Sequence, residues 1–195
     1  GFISDTQQYH EEHEKTAKLL GQLLHDDPNI RFVVNGGDLV QESSATEWQA
    51  YRQITTKYYS NTVPLVPVIG NHDYRYDTVL ANFNRLYGHE STQAHYYLLD
   101  FGVMSLIVLD SNIDILTPAA RDAQTKWLEA QLAAKHRTQP IMVTFHHAGY
   151  TSGVAQYLMP APPSYIRSKW QPLFEKYHVK LVLNGHEHLY ERLKV

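Results

Sequence analysis

The sequence from 32 to 38 reads Phe32-Val33-Val34-Asn35-Gly36-Gly37-Asp38, a short β-branched run that ends in two glycines and a carboxylate. A run of this length is typical of a buried strand, and the glycines let the backbone turn sharply behind it. The same order, an apolar run and then a polar cluster, recurs at 65–73 and at 179–188. Helical patterns separate the runs, so the sequence predicts an α/β fold.

Outward from this stretch, the hydrophobic periodicity predicts further elements. Strands are expected at 2–3, 65–69, 141–145 and 179–183, with a possible edge strand at 189–195. Helices are expected at 11–25, 45–59, 78–87, behind Thr117-Pro118 and at 164–177, and the Pro-rich 159–163 is expected to be a loop. The first helix should bury Thr16, Leu20, Leu23 and Leu24. Phe101-Gly102 lies between two strand-like runs, which predicts a hairpin and therefore a mixed sheet.

Composition limits the functional classes. The 195 residues fit one domain, and we expect 1–195 to be a single catalytic domain cut from a longer protein, because no start methionine or signal precedes Gly1. A net charge of −3 does not favour a permanent nucleic-acid partner, and no apolar run is long enough to span a membrane. There are no cysteines and 12 histidines, so any metal must be held by oxygen or imidazole ligands.

Polar clusters directly follow five of the predicted strands. They are Asp5, Gly37-Asp38, Gly70-Asn71-His72-Asp73, His146-His147 and Gly185-His186-Glu187-His188. Sites in open α/β sheets form outside the carboxyl ends of strands, so we expect the clusters to converge on one rim. Carboxylate, carboxamide and imidazole groups suit zinc, manganese and iron. The sequence therefore predicts a site for divalent metal ions. The isolated histidines His10, His13, His25, His136 and His178 are predicted to be solvated.

The clusters resemble the calcineurin-like metallophosphoesterases in order and spacing, and most of all the purple acid phosphatase branch. The segment 185–192 matches the Gly-His-x-His-x-Tyr-Glu-Arg of that branch, and His146–Gly153 is also similar to it. The resemblance implies a metallophosphatase-like, four-layer α/β/β/α sandwich of mixed sheets. It also implies a two-metal phosphoester hydrolase acting on a small phosphate monoester or, less often, a diester.

The resemblance implies a role for each matching residue. Asp38 would bridge two divalent ions (Zn, Mn or Fe), and a hydroxide between them would attack phosphorus. Asp5 and His188 would hold the first ion. Asn71, His146 and His186 would hold the second, with His147 as an alternative to its neighbour. His72 would protonate the leaving alkoxide or stabilise phosphoryl charge, and Asp73 would orient that imidazole.

Two departures from the family pattern concern the first ion. Gln7 stands where the family usually has histidine, and Gln41 stands where purple acid phosphatases have an iron-binding tyrosine. Gln7 could donate a carboxamide oxygen, which is a weaker ligand. These departures leave an alternative function open, a degenerate domain that binds one metal or a phosphorylated ligand without catalysis. A phosphopeptide phosphatase is a third hypothesis. The branch also suggests secretion or an extracytoplasmic location, whereas oligomeric state is not predicted.

Overall fold

The computed structural model describes residues 1–7, 10–78, 80–87 and 95–194. The chain divides into two compact units, Gly1–Gln93 and Ala94–Val195. Each unit contains one β-sheet and several helices, which confirms the α/β class.

The first unit contains a parallel sheet with the strand order β1-β2-β3. Its strands are β1 (Phe2–Ile3), β2 (Val33–Asn35) and β3 (Leu65–Pro67). Helix α1 (His10–Asp26) joins β1 to β2, α2 (Ala45–Tyr58) joins β2 to β3, and α3 (Ala81–Tyr87) follows. Among the described strands β3 is the last in the order β1-β2-β3, so it lies at an edge of this sheet, where its proline is tolerated. The predicted start of α3 at 78 was too early.

Helix α1 buries Leu20 and Leu24 as predicted, but the rest of its buried face differs from the prediction. Its buried residues are His13, Ala17, Leu20 and Leu24, which recur at helical spacing. Thr16 is exposed, and Leu23 is 57% exposed. The buried stripe follows small Ala17 and aromatic His13 rather than the bulkier aliphatic residues. The prediction that His13 is solvated was therefore wrong.

The second unit contains a four-stranded mixed sheet with the strand order β4-β5-β6-β7. Its strands are β4 (Tyr97–Asp100), β5 (Ser105–Val108), β6 (Ile141–Thr144) and β7 (Leu181–Leu183). The first pair is the predicted antiparallel hairpin, and the other neighbours are parallel. Helix α4 (Pro118–Lys135) begins as predicted, since the Thr117 hydroxyl accepts the Ala120 amide at 3.2 Å. Buried Leu128, Trp170 and Phe174 belong to the core of this unit.

A broken helical segment joins β6 to β7. It consists of α5 (Ala155–Leu158), α6 (Ala161–Tyr165), a π-helical turn (Ile166–Trp170) and α7 (Gln171–Lys176). The predicted single helix is therefore interrupted, and the predicted loop at 159–163 contains the start of α6. Pro172 accounts for the π turn, because its ring nitrogen cannot donate to the preceding turn. The Gln171 amide instead donates to the Ile166 carbonyl.

The predicted edge strand at 189–195 was wrong for the part that the structure describes, 189–194, which contains no strand. Tyr190 is 94% exposed and Leu193 is 51% exposed, so these side chains do not pack on the sheet. Within the described ranges no helix has both the length and the apolarity that crossing a membrane requires.

Candidate metal centre

The predicted ligands form two sets, one in each unit. Asp5, Asp38 and Asn71 follow β1, β2 and β3 in the first unit. His146 follows β6, and His186 and His188 follow β7 in the second. Strand ends thus position every predicted ligand, as the sequence indicated.

Four of these residues have strained backbones. Eight non-glycine residues of the described chain have positive φ, and they include Asp5 (56°), Asp38 (52°), His186 (76°) and His188 (52°). The left-handed conformation costs an L-residue about 1 kcal/mol. Strain of this kind persists where the surrounding structure enforces it, and it concentrates at functional sites.

The Asp38 carboxylate is fully enclosed. The residue is 1% exposed, and its Oδ1 accepts the His72 amide at 2.8 Å. Its Oδ2 accepts the Gln7 Nε2 at 3.3 Å and lies 4.0 Å from the His72 Nε2. A buried carboxylate needs such donors or a cation, because isolated burial of its charge is costly.

Gly70 makes this arrangement possible. A Cβ atom at Gly70 would lie 2.1 Å from Asp38 Oδ1 and 2.3 Å from the Asp38 amide nitrogen. Only glycine permits this approach between the loops after β2 and β3. The glycine before Asn71 therefore serves close packing as well as the turn.

The His72 ring is oriented by a backbone carbonyl. Its Nδ1 lies 3.0 Å from the Gln41 carbonyl oxygen. Donation from Nδ1 to this carbonyl leaves Nε2, the nitrogen nearer to Asp38, as the unprotonated atom of the neutral ring. The sequence assigned this orienting contact to Asp73, so the structure corrects that expectation.

Asp73 instead fixes the backbone of both loops. Its Oδ1 accepts the amides of Leu39 and Val40 at 2.9 and 3.1 Å, and its Oδ2 accepts the Gly70 amide at 2.8 Å. The carboxylate is completely buried. Asp73 thus ties the segment after Asp38 to the turn that carries Asn71 and His72.

Two of the buried carboxamide oxygens in the first unit lie in the loops after β2 and β3 and have the character of open ligands. Asn71 Oδ1 and Gln41 Oε1 are buried and accept no hydrogen bond within the described ranges. A buried polar oxygen normally has a partner, so each atom suits a cation. From the sequence, Asn71 was predicted to be a metal ligand, whereas Gln41 was considered only as the residue that stands in place of the iron-binding tyrosine. Gln7 is also buried, and its Nε2 donates to Asp38 at 3.3 Å.

In the second unit, two predicted ligands already lie together. His146 Nε2 and His186 Nδ1 are 3.2 Å apart. Two nitrogens bound to one tetrahedral zinc at 2.0–2.1 Å would be separated by roughly 3.3 Å, so the pair fits chelation of one ion. The Gly185 amide donates to the His146 carbonyl at 2.9 Å, which joins the two strand ends. His188, in contrast, is exposed.

Two glutamates hold the loop that follows His146-His147. The Glu187 carboxylate accepts the Ala155 amide at 3.2 Å, and the Glu191 carboxylate accepts the Ser152 amide at 3.1 Å. The hydrogen bonds to Ser152 lower the pKa of Glu191. The sequence did not predict these contacts, because they join segments that are far apart along the chain.

Comparison with known proteins adds the family. The model of the family described as calcineurin-like phosphoesterase matches residues 1–190. The chain belongs to this family. The fold agrees, because the purple acid phosphatase PPD1 from yellow lupin (Lupinus luteus) seeds matches 95% of the chain with a TM-score of 0.70 at 17% sequence identity. The resemblance inferred from the sequence is therefore confirmed.

Relatives of this phosphoesterase chain are longer proteins. The chain covers 37% of the lupin phosphatase. Two uncharacterized proteins of Mycobacterium tuberculosis, MT2654 of strain CDC 1551 / Oshkosh and Rv2577 of strain H37Rv, are each 38% identical to it over 72 residues. That match spans 35% of this chain and 13% of each mycobacterial protein.

Proposed function

We propose that this chain hydrolyses phosphoesters with two divalent metal ions, and that it prefers phosphate monoesters to diesters. The carrying observation is the backbone strain at Asp5, Asp38, His186 and His188, together with membership of the calcineurin-like phosphoesterase family. Zinc, manganese and iron all suit the donor set. Such ions lower the pKa of water and neutralise phosphate oxygens.

The proposed ligands are those that the strand ends present. Asp38 would contact both ions, Asp5 and His188 the first, and Asn71, His146 and His186 the second. The open Oδ1 of Asn71 and the 3.2 Å pair of imidazole nitrogens support these assignments. Gln7 remains a candidate ligand for the first ion, and Gln41 Oε1 becomes a second one.

His72 is the proposed acid. Its Nδ1 donates to the Gln41 carbonyl in the neutral ring, so the doubly protonated imidazolium would be the acid and would present its second proton on Nε2 from a ring of fixed orientation. Asp73 would support this step from the backbone, because it fixes the turn that carries His72. The proposed substrate is a small phosphoester, and no standing nucleic-acid partner is proposed.

Hydrolysis of p-nitrophenyl phosphate and of its bis-ester tests this proposal. The metal-free protein would be titrated separately with Mn²⁺, Zn²⁺ and Fe²⁺. We expect turnover that requires metal and is faster with the monoester. Faster turnover of the bis-ester would reverse the proposed preference, and turnover of phosphopeptides above both small esters would favour a protein phosphatase.

The alternative is a degenerate domain that binds one metal or a phosphorylated ligand without catalysis. Gln7 and Gln41, which stand where the family pattern has stronger ligands, are the observations that favour it. Metal content separates the two hypotheses. About two ions per chain with turnover supports the hydrolase, whereas one ion or none, without turnover, supports the degenerate domain.

A further inference from the structure

A serine and a histidine behind the predicted ligand pair form a buried couple. Ser111 follows β5 and His147 follows β6, and both side chains are almost fully buried. The Ser111 Oγ accepts the His147 amide at 3.0 Å and lies 2.9 Å from the Nδ1 of the same residue. The two residues therefore meet through both backbone and side chain.

The contact between the two side chains depends on the tautomer of His147. A serine hydroxyl carries a single hydrogen, and among the described residues the Nδ1 of His147 is the acceptor within reach of Ser111. Two arrangements fit this geometry: the hydroxyl donates to Nδ1 and the neutral ring carries its proton on Nε2, or Nδ1 donates to the hydroxyl oxygen and Nε2 keeps a lone pair. In the first arrangement, which uses the hydrogen of the serine, neither nitrogen offers a lone pair to a metal.

Ser111 is itself rigidly held. The preceding Asp110 forms two hydrogen bonds with the buried Gln124 of α4. The Asp110 amide donates to the Gln124 Oε1 at 2.8 Å, and the Gln124 Nε2 donates to the Asp110 carbonyl at 2.9 Å. The Asp110 carboxylate accepts the Asn112 amide at 3.0 Å. These hydrogen bonds join the segment on both sides of Ser111 to α4 and to the next residues, so the position of the Ser111 hydroxyl is well defined.

The His147 ring lies against both predicted ligands. Its centroid is 4.4 Å from that of His186, with an interplanar angle of 51°, and 5.0 Å from that of His146, with an angle of 80°. A ring fixed by Ser111 therefore limits how the other two rings can turn.

We propose that His147 is a positioning residue rather than a ligand, and that Ser111 sets its tautomer and orientation. The couple holds His146 and His186 so that their nitrogens, 3.2 Å apart, can bind one divalent ion. This inference rests on the proposed function in that it assumes an ion at this pair. It decides between His146 and His147, which the sequence left open.

Metal affinity tests the role of the couple. Dissociation constants for Zn²⁺ and Mn²⁺ would be measured by calorimetry on the whole chain as wild type, Ser111→Ala, His147→Gln and the double variant. Substitution of a residue that orients a metal-binding histidine typically lowers the affinity for the metal by about 10–100-fold. Each single variant should therefore bind the ions at least 10-fold more weakly than the wild type. The double variant should bind no more weakly than His147→Gln, because Ser111 acts through that ring.

Thr125→Val is the matched control, since it removes another hydroxyl that bonds to Trp170 and Tyr165 in the same unit. Its metal affinity should equal that of the wild type. Unchanged affinity in folded Ser111→Ala would overturn the proposal. So would a complete loss of the tighter ion in His147→Gln that equals the loss in His146→Ala, because that result would make His147 a ligand.

The tautomer provides a second test that needs no variant to fold. Long-range ¹H–¹⁵N spectra of the wild-type protein should show the proton of His147 on Nε2, and a proton on Nδ1 would overturn the proposal. The tests also separate this inference from the proposed function. Tight ion binding that depends on Ser111, without any phosphoester turnover, would uphold the positioning role and reject the hydrolase. Turnover with unchanged affinity in the variants would do the reverse.

Discussion

Asp38 shows how single residues create the first half of the proposed site. Its backbone is left-handed, its carboxylate is buried, and the neighbouring loop reaches it only because Gly70 has no side chain. The two structural demands, a tight turn at Asp38 and a close approach at Gly70, fall on two loops that are distant in the sequence and neighbours in space. A small change at either position should therefore be felt at the metal site.

Gly70→Ala should weaken binding of divalent ions at least 10-fold and lower the free energy of unfolding by about 2 kcal/mol, since the new methyl group would overlap Asp38. Calorimetry and thermal unfolding measure the two effects. Gly102→Ala is the control. An alanine at this φ of 77° would have a strained backbone, but among the described residues no atom beyond its two chain neighbours would lie within 4 Å of its Cβ. The control should lose stability alone, and equal metal affinity in both variants would contradict the expectation.

His13 predicts a pH dependence of stability. Burial, reinforced by His10, lowers its pKa to about 4 from a usual 6.5. The unfolded chain therefore takes up a proton between pH 6.5 and 4 while the folded chain does not, so stability falls as the pH falls through this range. The loss is at most about 3 kcal/mol.

Urea unfolding of His13→Leu, followed from pH 7 to pH 4, should show a shallower decline than the wild type. His25→Leu is the control, because His25 is exposed on the same helix, and it should keep the wild-type slope. Equal slopes in His13→Leu and the wild type would show that His13 does not cause the decline.

Elements differ in how far the sequence could predict them. The ends of the strands were predictable, because an apolar run predicts a buried strand and the glycine and polar residues that follow it predict where the strand ends. The buried face of α1 was not, since Leu23 and Thr16 share the helical periodicity but tertiary packing selected His13 and Ala17. The π turn before Pro172 could not be predicted, because the effect of this proline depends on how far upstream the helix begins. The positioning roles of Asp73, Ser111 and Gln124 depend on contacts between loops and helices that periodicity does not encode.

The segment 151–155 is expected to depend on Glu187 for its order. A Cβ at Gly153 would overlap the Glu187 carboxylate, which also accepts the Ala155 amide. Glu187→Ala should increase amide hydrogen exchange at 153–157 several-fold, because local opening loses a hydrogen-bonded anchor. Glu175→Ala, which removes a carboxylate bonded to Gln171, is the control and should leave this exchange unchanged. No change in Glu187→Ala would mean that other contacts hold the loop.

For the molecule as a whole, the fold is confirmed and the activity is proposed. Family membership rests on a match to residues 1–190, and the likeness to the lupin phosphatase establishes the fold. Each unit contains some of the proposed ligands at its strand ends, so metal binding should stabilise the folded protein.

Divalent ions should stabilise the folded protein by mass action. At a free ion concentration 100-fold above the dissociation constant, the free energy of unfolding should rise by about 2.7 kcal/mol. Thermal unfolding of the metal-free protein with added Zn²⁺ or Mn²⁺ measures this change. Asp100→Asn, which alters a carboxylate bonded to Lys135 and Gln139, should retain the stabilisation. Asn71→Ala should reduce it, and an unreduced shift would contradict the assignment of Asn71 as a ligand.

The most direct test of the proposed hydrolase compares wild type with Asp38→Asn in the hydrolysis of p-nitrophenyl phosphate by metal-free protein as Mn²⁺ is added. The substitution keeps the size of the side chain and removes the charge that would bridge two ions. We predict turnover that rises with Mn²⁺ in the wild type and falls at least 100-fold in the folded variant. Equal turnover in the two proteins, or none in the folded wild type with Mn²⁺, Zn²⁺ or Fe²⁺, would contradict the two-metal hydrolase.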